Sequence, residues 1–252
     1  VIVGGGYIGL ETAATARELG LDVVVLEMAD RVMNRVVSPE LSRFFEAEHA
    51  KRGVRIECNA RVQSFVDDGM GRVRAVRCDD GTEYPADVVV IGVGVVATDE
   101  LAQAAGIECA NGIVVDEYCH TSDPHVWAAG DLALGLNTTL GPLRVEHWDN
   151  AIRQGKLAAR TMLGQDANYD WQPYFFTDQF EFSMEYVGHG SPSDSVEIRG
   201  DLDGNEFIAY WLGGADGRTV TAGMNVGIWD VNDTLRAMIG TSVNPDELTD
   251  LR

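Results

Sequence analysis

The sequence predicts an α/β protein: a Rossmann-type domain carrying a β-meander, further α/β segments, and a C-terminal α+β domain. Three observations carry this prediction. The first 27 residues read strand, glycine turn, helix, strand, acid. Residues 54–81 hold short alternating apolar runs broken by Asp–Gly turns. The last third crowds aromatic residues among short strand-like runs separated by glycine turns.

Val1, Ile2 and Val3 form an apolar run expected to be a buried strand. Gly4, Gly6 and Gly9 then give G-x-G-x-x-G, with Gly5, Tyr7 and Ile8 between them. A helix is expected next, with Ile8, Ala13, Ala16 and Leu19 on its inner side, Arg17 and Glu18 outside, and Gly20 as its stop. Leu21–Leu26 reads as a second strand, closed by Glu27. Each piece suits a dinucleotide. Gly4 permits the tight turn, Gly6 lets backbone approach a diphosphate, and Gly9 lets helix pack on strand, while free N–H groups at the helix start attract the phosphates. Glu27 can accept hydrogen bonds from ribose hydroxyls and repels a 2′-phosphate, which favours NAD over NADP.

The chain has 252 residues, 45% of them hydrophobic, which is enough for about two domains. No run is long and apolar enough to span a membrane, and no signal-peptide pattern is present. The first residue is Val, inside a strand, so a segment upstream is expected. The net charge of −21 repels nucleic acid and anionic membranes. Cys58, Cys78, Cys109 and Cys119 form no C-x-x-C pair, and the five histidines form no H-x-x-x-H or H-E-x-x-H pattern, so no dithiol and no metal site is expected. Isolated thiols of this kind suit a reduced, cytoplasmic protein.

After Glu27 comes a loop holding Arg31 and Arg35, which either contact phosphate oxygens or are simply solvated. Ser38 reads as an N-cap with Pro39 at the first helical position. That helix is expected to run to Lys51, with Leu41, Phe44, Phe45 and Ala47 inward and Gly53 after it. Val54–Glu57, Arg61–Val66 and Arg72–Cys78 read as strands, the last two a meander turning at Asp80–Gly81. Asp87–Ile91 reads as a buried strand ending in Gly92 and Gly94, the small residues that let a dinucleotide lie over a parallel sheet edge. Thr98–Ala105 reads as a short helix.

Ile113–Asp116 opens a new unit, and Val126–Ala129 is expected as a short strand before Gly130 and Asp131. Asp131 either accepts hydrogen bonds from a polyol chain or forms a turn. A helix is expected from Trp148 to Gly164 with Ala151, Ile152, Leu157, Ala158, Met162 and Leu163 inward. Its positive N-terminal pole near His147 and Trp148 suits a flavin pyrimidine ring, the alternative being a Trp148 packed on the core. Beyond Asp166, strands are expected near Phe182–Val187, Val196–Arg199, Glu206–Leu212 and Thr219–Met224, with a helix over Trp229–Ile239.

With these segments placed, GGGYIGLE, the strand ending in Glu27, ADVVVIGVG, TSDPHVWAAGD, VEHWDNA and PYFFTDQF occur in an order that resembles the FAD-dependent, NADH-oxidising ferredoxin reductases of oxygenase systems. It is also similar to apoptosis-inducing factor. The resemblance implies an NAD-binding domain over 1–98, the C-terminal half of an FAD-binding domain over 99–165, and a C-terminal interface domain over 166–252, with the N-terminal FAD segment lacking. It implies that Gly4, Gly5, Gly6, Tyr7, Ile8 and Gly9 hold the NAD diphosphate, that Glu27 holds the ribose, and that Gly94 lines the groove. It places Glu11 near the nicotinamide amide as the candidate catalytic residue, and Phe176 over the nicotinamide face where several members carry Trp. It gives Gly130 and Asp131 the FAD ribityl and phosphate contacts, and sets Glu146, His147 and Trp148 at the flavin. Ala97 departs from a common proline.

The implied reaction passes hydride from NADH to FAD and then electrons to a ferredoxin- or rubredoxin-type protein. A small-molecule acceptor, or a nucleotide-binding fragment without catalysis, are the competing expectations. On the second, the chain alone binds NADH weakly and holds little FAD. A dithiol reductase of the same superfold requires a C-x-x-C that this sequence does not contain.

Overall fold

The computed structural model describes residues 1–252, which divide into two compact units. The first comprises residues 1–94 together with 177–184 and 201–207; the second comprises 95–176, 185–200 and 208–252.

The first unit opens with β1 (Ile2–Val3), α1 (Tyr7–Glu18), β2 (Val23–Leu26), α2 (Pro39–Lys51) and β3 (Val54–Glu57). The meander β4 (Val62–Asp67), β5 (Val73–Cys78), β6 (Glu83–Pro85) follows, and then β7 (Val90–Ile91). β1 lies between β2 and β7, all parallel, in the sheet order β3-β2-β1-β7. Ile2 pairs with Val25 and Val90, and Val3 with Leu26 and Ile91, so the three strands end level at Gly4, Glu27 and Gly92. One core cluster joins Ile2, Val23, Val25 and Val54 to Ala13 of α1. A second joins Leu26 to Val76, Cys78, Tyr84 and Ala86 at the meander.

The second unit contains α3 (Glu100–Ala104), β8 (Cys109–Ala110), β9 (Gly112–Val115), a single 3-10 turn at Gly130–Leu132, β10 (Ala133–Asn137), β11 (Gly141–Leu143) and α4 (Trp148–Met162). The sheet here is β11-β10-β9-β8. The C-terminal region builds a five-stranded sheet in the order β12-β13-β16-β15-β14 from β12 (Tyr174–Gln179), β13 (Phe182–Gly188), β14 (Ser195–Asp201), β15 (Glu206–Gly213) and β16 (Thr219–Val226), followed by α5 (Asn232–Met238). Val187, Ile208, Tyr210, Leu212, Val220 and Leu235 form its core within the second unit.

Ser38 caps α2 as expected, its Oγ accepting from the Leu41 N–H at 3.3 Å, with Pro39 first in the helix. Several inner faces differ from expectation. On α1 the buried residues are Gly9, Leu10, Ala13 and Ala14, while Ile8 and Leu19 stand 58% and 75% exposed. Ala13 is buried and Ala16 packs on the core as expected, but at the helix start Gly9 and Leu10 turn inward in place of Ile8, because Gly9 must pack on the Gly4 carbonyl. On α2, Ala47 is exposed and Glu48 and His49 are buried instead. Their polar atoms are paired: His49 lies against the carbonyls of Phe45 and Leu10.

On α4 the expected Ile152, Met162 and Leu163 are exposed, and the buried stripe is Asn150, Gln154, Leu157, Ala158 and Thr161. Hydrogen bonds make that burial possible: Asn150 to Val145 and Tyr169, and Thr161 to Tyr118. The strand over Asp87–Ile91 shrinks to two residues, and it is exposed rather than buried, since β7 is an edge strand. Val126–Ala129 is not a strand; only a single bridge joins His120 and Trp127. β10, β11 and β12 were not expected, and the last helix is shorter than Trp229–Ile239 at both ends.

Within the first unit, α2 meets residues 177–184 and 201–207 through one mixed cluster. The Arg52 guanidinium pairs with Glu181 and with Glu48 and lies over the rings of Phe180 and Phe182. Glu48, its side chain 4% exposed, is also met by Lys51 and by the Asn205 amide. Phe44 packs edge-on to Phe182 and Phe207. Burial alone pushes the Glu48 carboxyl up, but the hydrogen bonds from Lys51, Arg52 and Asn205 outweigh it and hold it below its usual value of 4.5. A carboxyl lowered in the folded state stabilises above its unfolded pKa, and that stability is lost as pH falls through the folded value. Glu48→Gln is therefore expected to cost about 2 kcal/mol at pH 7 and markedly less near pH 3, read from urea unfolding midpoints at the two pH values.

Candidate functional site

The first unit presents a glycine turn shaped by backbone approach. A Cβ on Gly4 would lie 2.2 Å from the Gly92 carbonyl oxygen, and Gly4 has φ +108°. A Cβ on Gly9 would lie 2.1 Å from the Gly4 carbonyl oxygen. Neither position admits any other residue. A Cβ on Gly6, by contrast, would meet nothing within 4 Å. Gly6 is the N-cap of α1 and offers no side-chain cap, and the first turn of α1 carries no acid. The helix therefore starts with its positive pole facing open space, which fits a diphosphate.

Glu27 stands beside this turn. Its Oε2 accepts from the Gly5 N–H at 2.6 Å and its Oε1 from the Ala29 N–H at 2.7 Å. The two loop arginines part company. Arg31 is spent internally, donating to the carbonyls of Val37 and Asn34 and to Ser42 Oγ. Arg35 is exposed and makes no such bond, and its guanidinium comes within 3.8 Å of where a Cβ on Gly94 would stand. Glu11 is engaged as well: its carboxylate accepts from the Asp178 N–H at 3.2 Å. Tyr7 and Ile8 occupy the first turn of α1.

The second unit brings together Gly130–Asp131 and Glu146–Trp148. Gly130 has φ +77°, and its N–H donates to Gln154 Oε1 at 2.8 Å, which seats the 3-10 turn against α4. Arg144 donates to the Asp131 carbonyl at 2.9 Å and pairs with Glu146 at 2.6 Å, so one guanidinium ties the two segments. The Asp131 carboxylate is exposed. His147 caps α4 without a side-chain hydrogen bond. Its ring packs on Phe175 with centroids 4.8 Å apart, and its Nδ1 is buried without a partner. Burial pushes its pKa down to about 4, so the ring is neutral at ordinary pH. Trp148 is 73% exposed, which excludes packing on the core. An uncapped helix start beside a free carboxylate is a donor and acceptor set that fits a flavin pyrimidine edge and a polyol. Phe176 is 47% exposed on β12.

Gln154 and Arg144 were missed from sequence because each acts through a backbone group of another segment. A buried Gln on an otherwise amphipathic helix is the one signal that could have marked the first.

The first 155 residues match the family model described as pyridine nucleotide-disulphide oxidoreductase. The chain belongs to the pyridine nucleotide-disulphide oxidoreductase family. It is 38% identical over 216 residues to putidaredoxin reductase CamA of Pseudomonas putida, covering 85% of this chain and 51% of that protein. It is 38% identical over 258 residues to the 5,5'-dehydrodivanillate O-demethylase ferredoxin reductase subunit of Sphingobium sp., covering 99% of this chain and 61% of that protein. Among solved structures it superposes with TM-score 0.93 on the ferredoxin reductase for the CYP199A2 system of Rhodopseudomonas palustris, at 38% identity over 99% of this chain and 62% of that one. The chain thus spans between half and two thirds of the length of each.

The disulphide chemistry in the family's description finds no activated thiol among these residues. Burial, with Glu46 and Glu27 nearby, pushes Cys58 up to about 11, and burial with Asp116 pushes Cys119 up to about 12. Cys78 and Cys109 are raised too, burial again leading.

The turn geometry separates two substitutions. Gly6→Ala is expected to change stability by less than about 1 kcal/mol yet weaken NADH binding about tenfold or more. Gly9→Ala is expected to cost about 3 kcal/mol or more of stability. Thermal unfolding and NADH titration of the two variants check both.

Proposed function

We propose that this chain is the NAD(H)-binding part, together with one half of an FAD site, of a cytoplasmic flavin-dependent reductase that draws electrons from NADH and delivers them to a ferredoxin- or rubredoxin-type iron–sulfur protein. Residues 1–98 form its NAD-binding domain, 99–165 the C-terminal half of its FAD-binding domain, and 166–252 its interface domain. The observation that carries this reading is the α1 start: glycines sealed by backbone at Gly4 and Gly9, open space at Gly6, and an acid at Glu27. The kinship to ferredoxin reductases supports the acceptor class.

In this reading the Gly5–Gly6 turn and the first N–H groups of α1, at Tyr7 and Ile8, hold the diphosphate. Glu27 takes the adenosine ribose hydroxyls, and Arg35, lying across from Gly94, meets a phosphate oxygen. Glu11 fixes the backbone at Asp178 and is placed near the nicotinamide amide; Phe176 covers the nicotinamide face. Asp131 binds the ribityl chain and the backbone N–H of Trp148 meets the flavin ring, with Gly130, Glu146 and His147 shaping the approach. Bound FAD supplies the capacity to take a hydride and release electrons one at a time. The chain itself supplies alignment and electrostatics and needs no proton donor for the hydride step.

Arg35→Ala is expected to weaken NADH binding about tenfold, while Arg31→Ala leaves the affinity within about threefold and lowers thermal stability instead. Fluorescence titration of NADH and a melting curve separate the two.

A net charge of −21 favours a second reading, since an acidic ferredoxin docks on a basic patch and this chain offers few cations. A small acceptor such as a quinone has no such need. In the intact reductase, ferredoxin reduction that falls steeply between low and high salt supports the protein acceptor. Turnover of quinones that ignores salt and outpaces ferredoxin supports the small one.

A further inference from the structure

Glu27 is assigned above to the ribose, but its surroundings give it a second task. An ionised carboxylate has about four lone-pair sites. Two are taken by the protein: the Gly5 N–H at Oε2, 2.6 Å, and the Ala29 N–H at Oε1, 2.7 Å. The Gly5 peptide is held from its other end as well, since its carbonyl accepts from the Met33 N–H at 2.9 Å. Glu27 is itself fixed by two main-chain bonds to neighbouring segments, its N–H to the Glu57 carbonyl at 2.9 Å and its carbonyl to the Ala60 N–H at 2.9 Å. The acid is therefore a rigid post just past β2, and the glycine turn is tied to it.

Gly5 is the free position of G-x-G-x-x-G, where the turn itself asks for no particular residue. Here a Cβ would come within 3.1 Å of Glu27 Cβ and Oε2 and within 3.0 Å of Val32 Cγ1. The absence of a side chain at Gly5 is what lets the carboxylate reach the backbone. Both observations, the hydrogen bond and the missing space, point to the same pairing.

From this we infer that Glu27 is a positioning residue for the diphosphate turn, holding Gly5 in place whether or not a ribose is present, in addition to its contact with the ribose. The inference rests on the NAD(H) reading of the turn. Its consequence is that removing the carboxylate weakens ligands that have no ribose hydroxyls to offer it. The two remaining lone-pair sites suffice for the 2′- and 3′-hydroxyls, so one carboxylate serves four donors. Charge reversal at this position then loses the turn along with the ribose contact, and does not simply exchange NADH for NADPH.

The test compares NADH with its analogue lacking both adenosine ribose hydroxyls, titrated against the wild-type chain, Glu27→Ala and Glu27→Gln. A dual role predicts that Glu27→Ala weakens the dideoxy analogue about tenfold, and NADH by more. Glu27→Gln, which keeps one acceptor oxygen but turns an N–H₂ toward the other backbone N–H, is expected to fall between. The Gly5 amide, protected from hydrogen exchange in the ligand-free wild type, is expected to exchange much faster in Glu27→Ala while the amides of α2 keep their protection. A variant that merely loses global stability speeds the α2 amides as well. Unchanged affinity for the dideoxy analogue in Glu27→Ala, or an unchanged Gly5 exchange rate, overturns the positioning role. Failure of the wild type to bind either nucleotide instead overturns the NAD(H) reading itself.

Discussion

Three stretches of backbone meet at the edge of the first unit's sheet more closely than side chains allow, and the rest of the site depends on that contact. Gly4 presses on the Gly92 carbonyl, and Gly9 presses on the Gly4 carbonyl. The Gly4 N–H bonds to the Leu26 carbonyl and the Gly92 N–H to the Val3 carbonyl, at 2.8 and 2.7 Å, which locks the three strand ends together. Because Gly9 lies in the first turn of α1, this packing sets the helix start directly above the strand ends. Four features then converge without further design: an uncapped helix pole, open space at Gly6, the acid of Glu27 and the small residue Gly94. An alanine at either sealing glycine would lift the helix from the sheet and separate them.

A strongly acidic chain has few cations, and several of those in the first unit are tied to its acids and backbone. Arg52 satisfies Glu48 and Glu181 while its flat guanidinium covers two phenylalanine rings, a task for which a lysine is poorly shaped. Arg17 is tied to the carbonyls of Leu21 and Arg52. Arg31 braces its own loop. Arg35, by contrast, is exposed and makes no side-chain bond, as is the case for Arg43 and Arg61. Glu11 takes a comparable structural share by holding the Asp178 N–H, so residues distant in sequence are fastened to the helix that carries the glycine turn.

The opening unit was legible in the sequence because its signals are local: glycines at fixed offsets, the Ser38–Pro39 cap, and the Asp80–Gly81 turn each act within a few residues. Burial was less legible. Ile8 and Leu19 are apolar yet exposed, because steric demand at Gly9 rotates the helix away from its apolar pattern. Ala47, Ile152, Met162 and Leu163 failed for a related reason: polar Glu48, His49, Asn150, Gln154 and Thr161 take the inner faces, each meeting a partner from another segment. No single-residue pattern announces those partners. The short strands β10 and β11 and the loss of a strand at Val126–Ala129 likewise depend on neighbours that sequence spacing does not specify. In the candidate site the residue types were legible but their ties were not. That Arg31 is spent and Arg35 is free, and that Arg144 and Gln154 join Asp131 and Gly130 to α4, follow only from the folded chain.

The central claim is that the turn at Gly4–Gly9 is built to hold a dinucleotide diphosphate. A crystal structure of the chain with NADH tests it most directly. The account predicts diphosphate oxygens within hydrogen-bond distance of backbone N–H groups in the Gly6–Ile8 stretch, with the adenosine ribose hydroxyls on Glu27. An empty turn, with the nucleotide bound at another place on the chain, would contradict it.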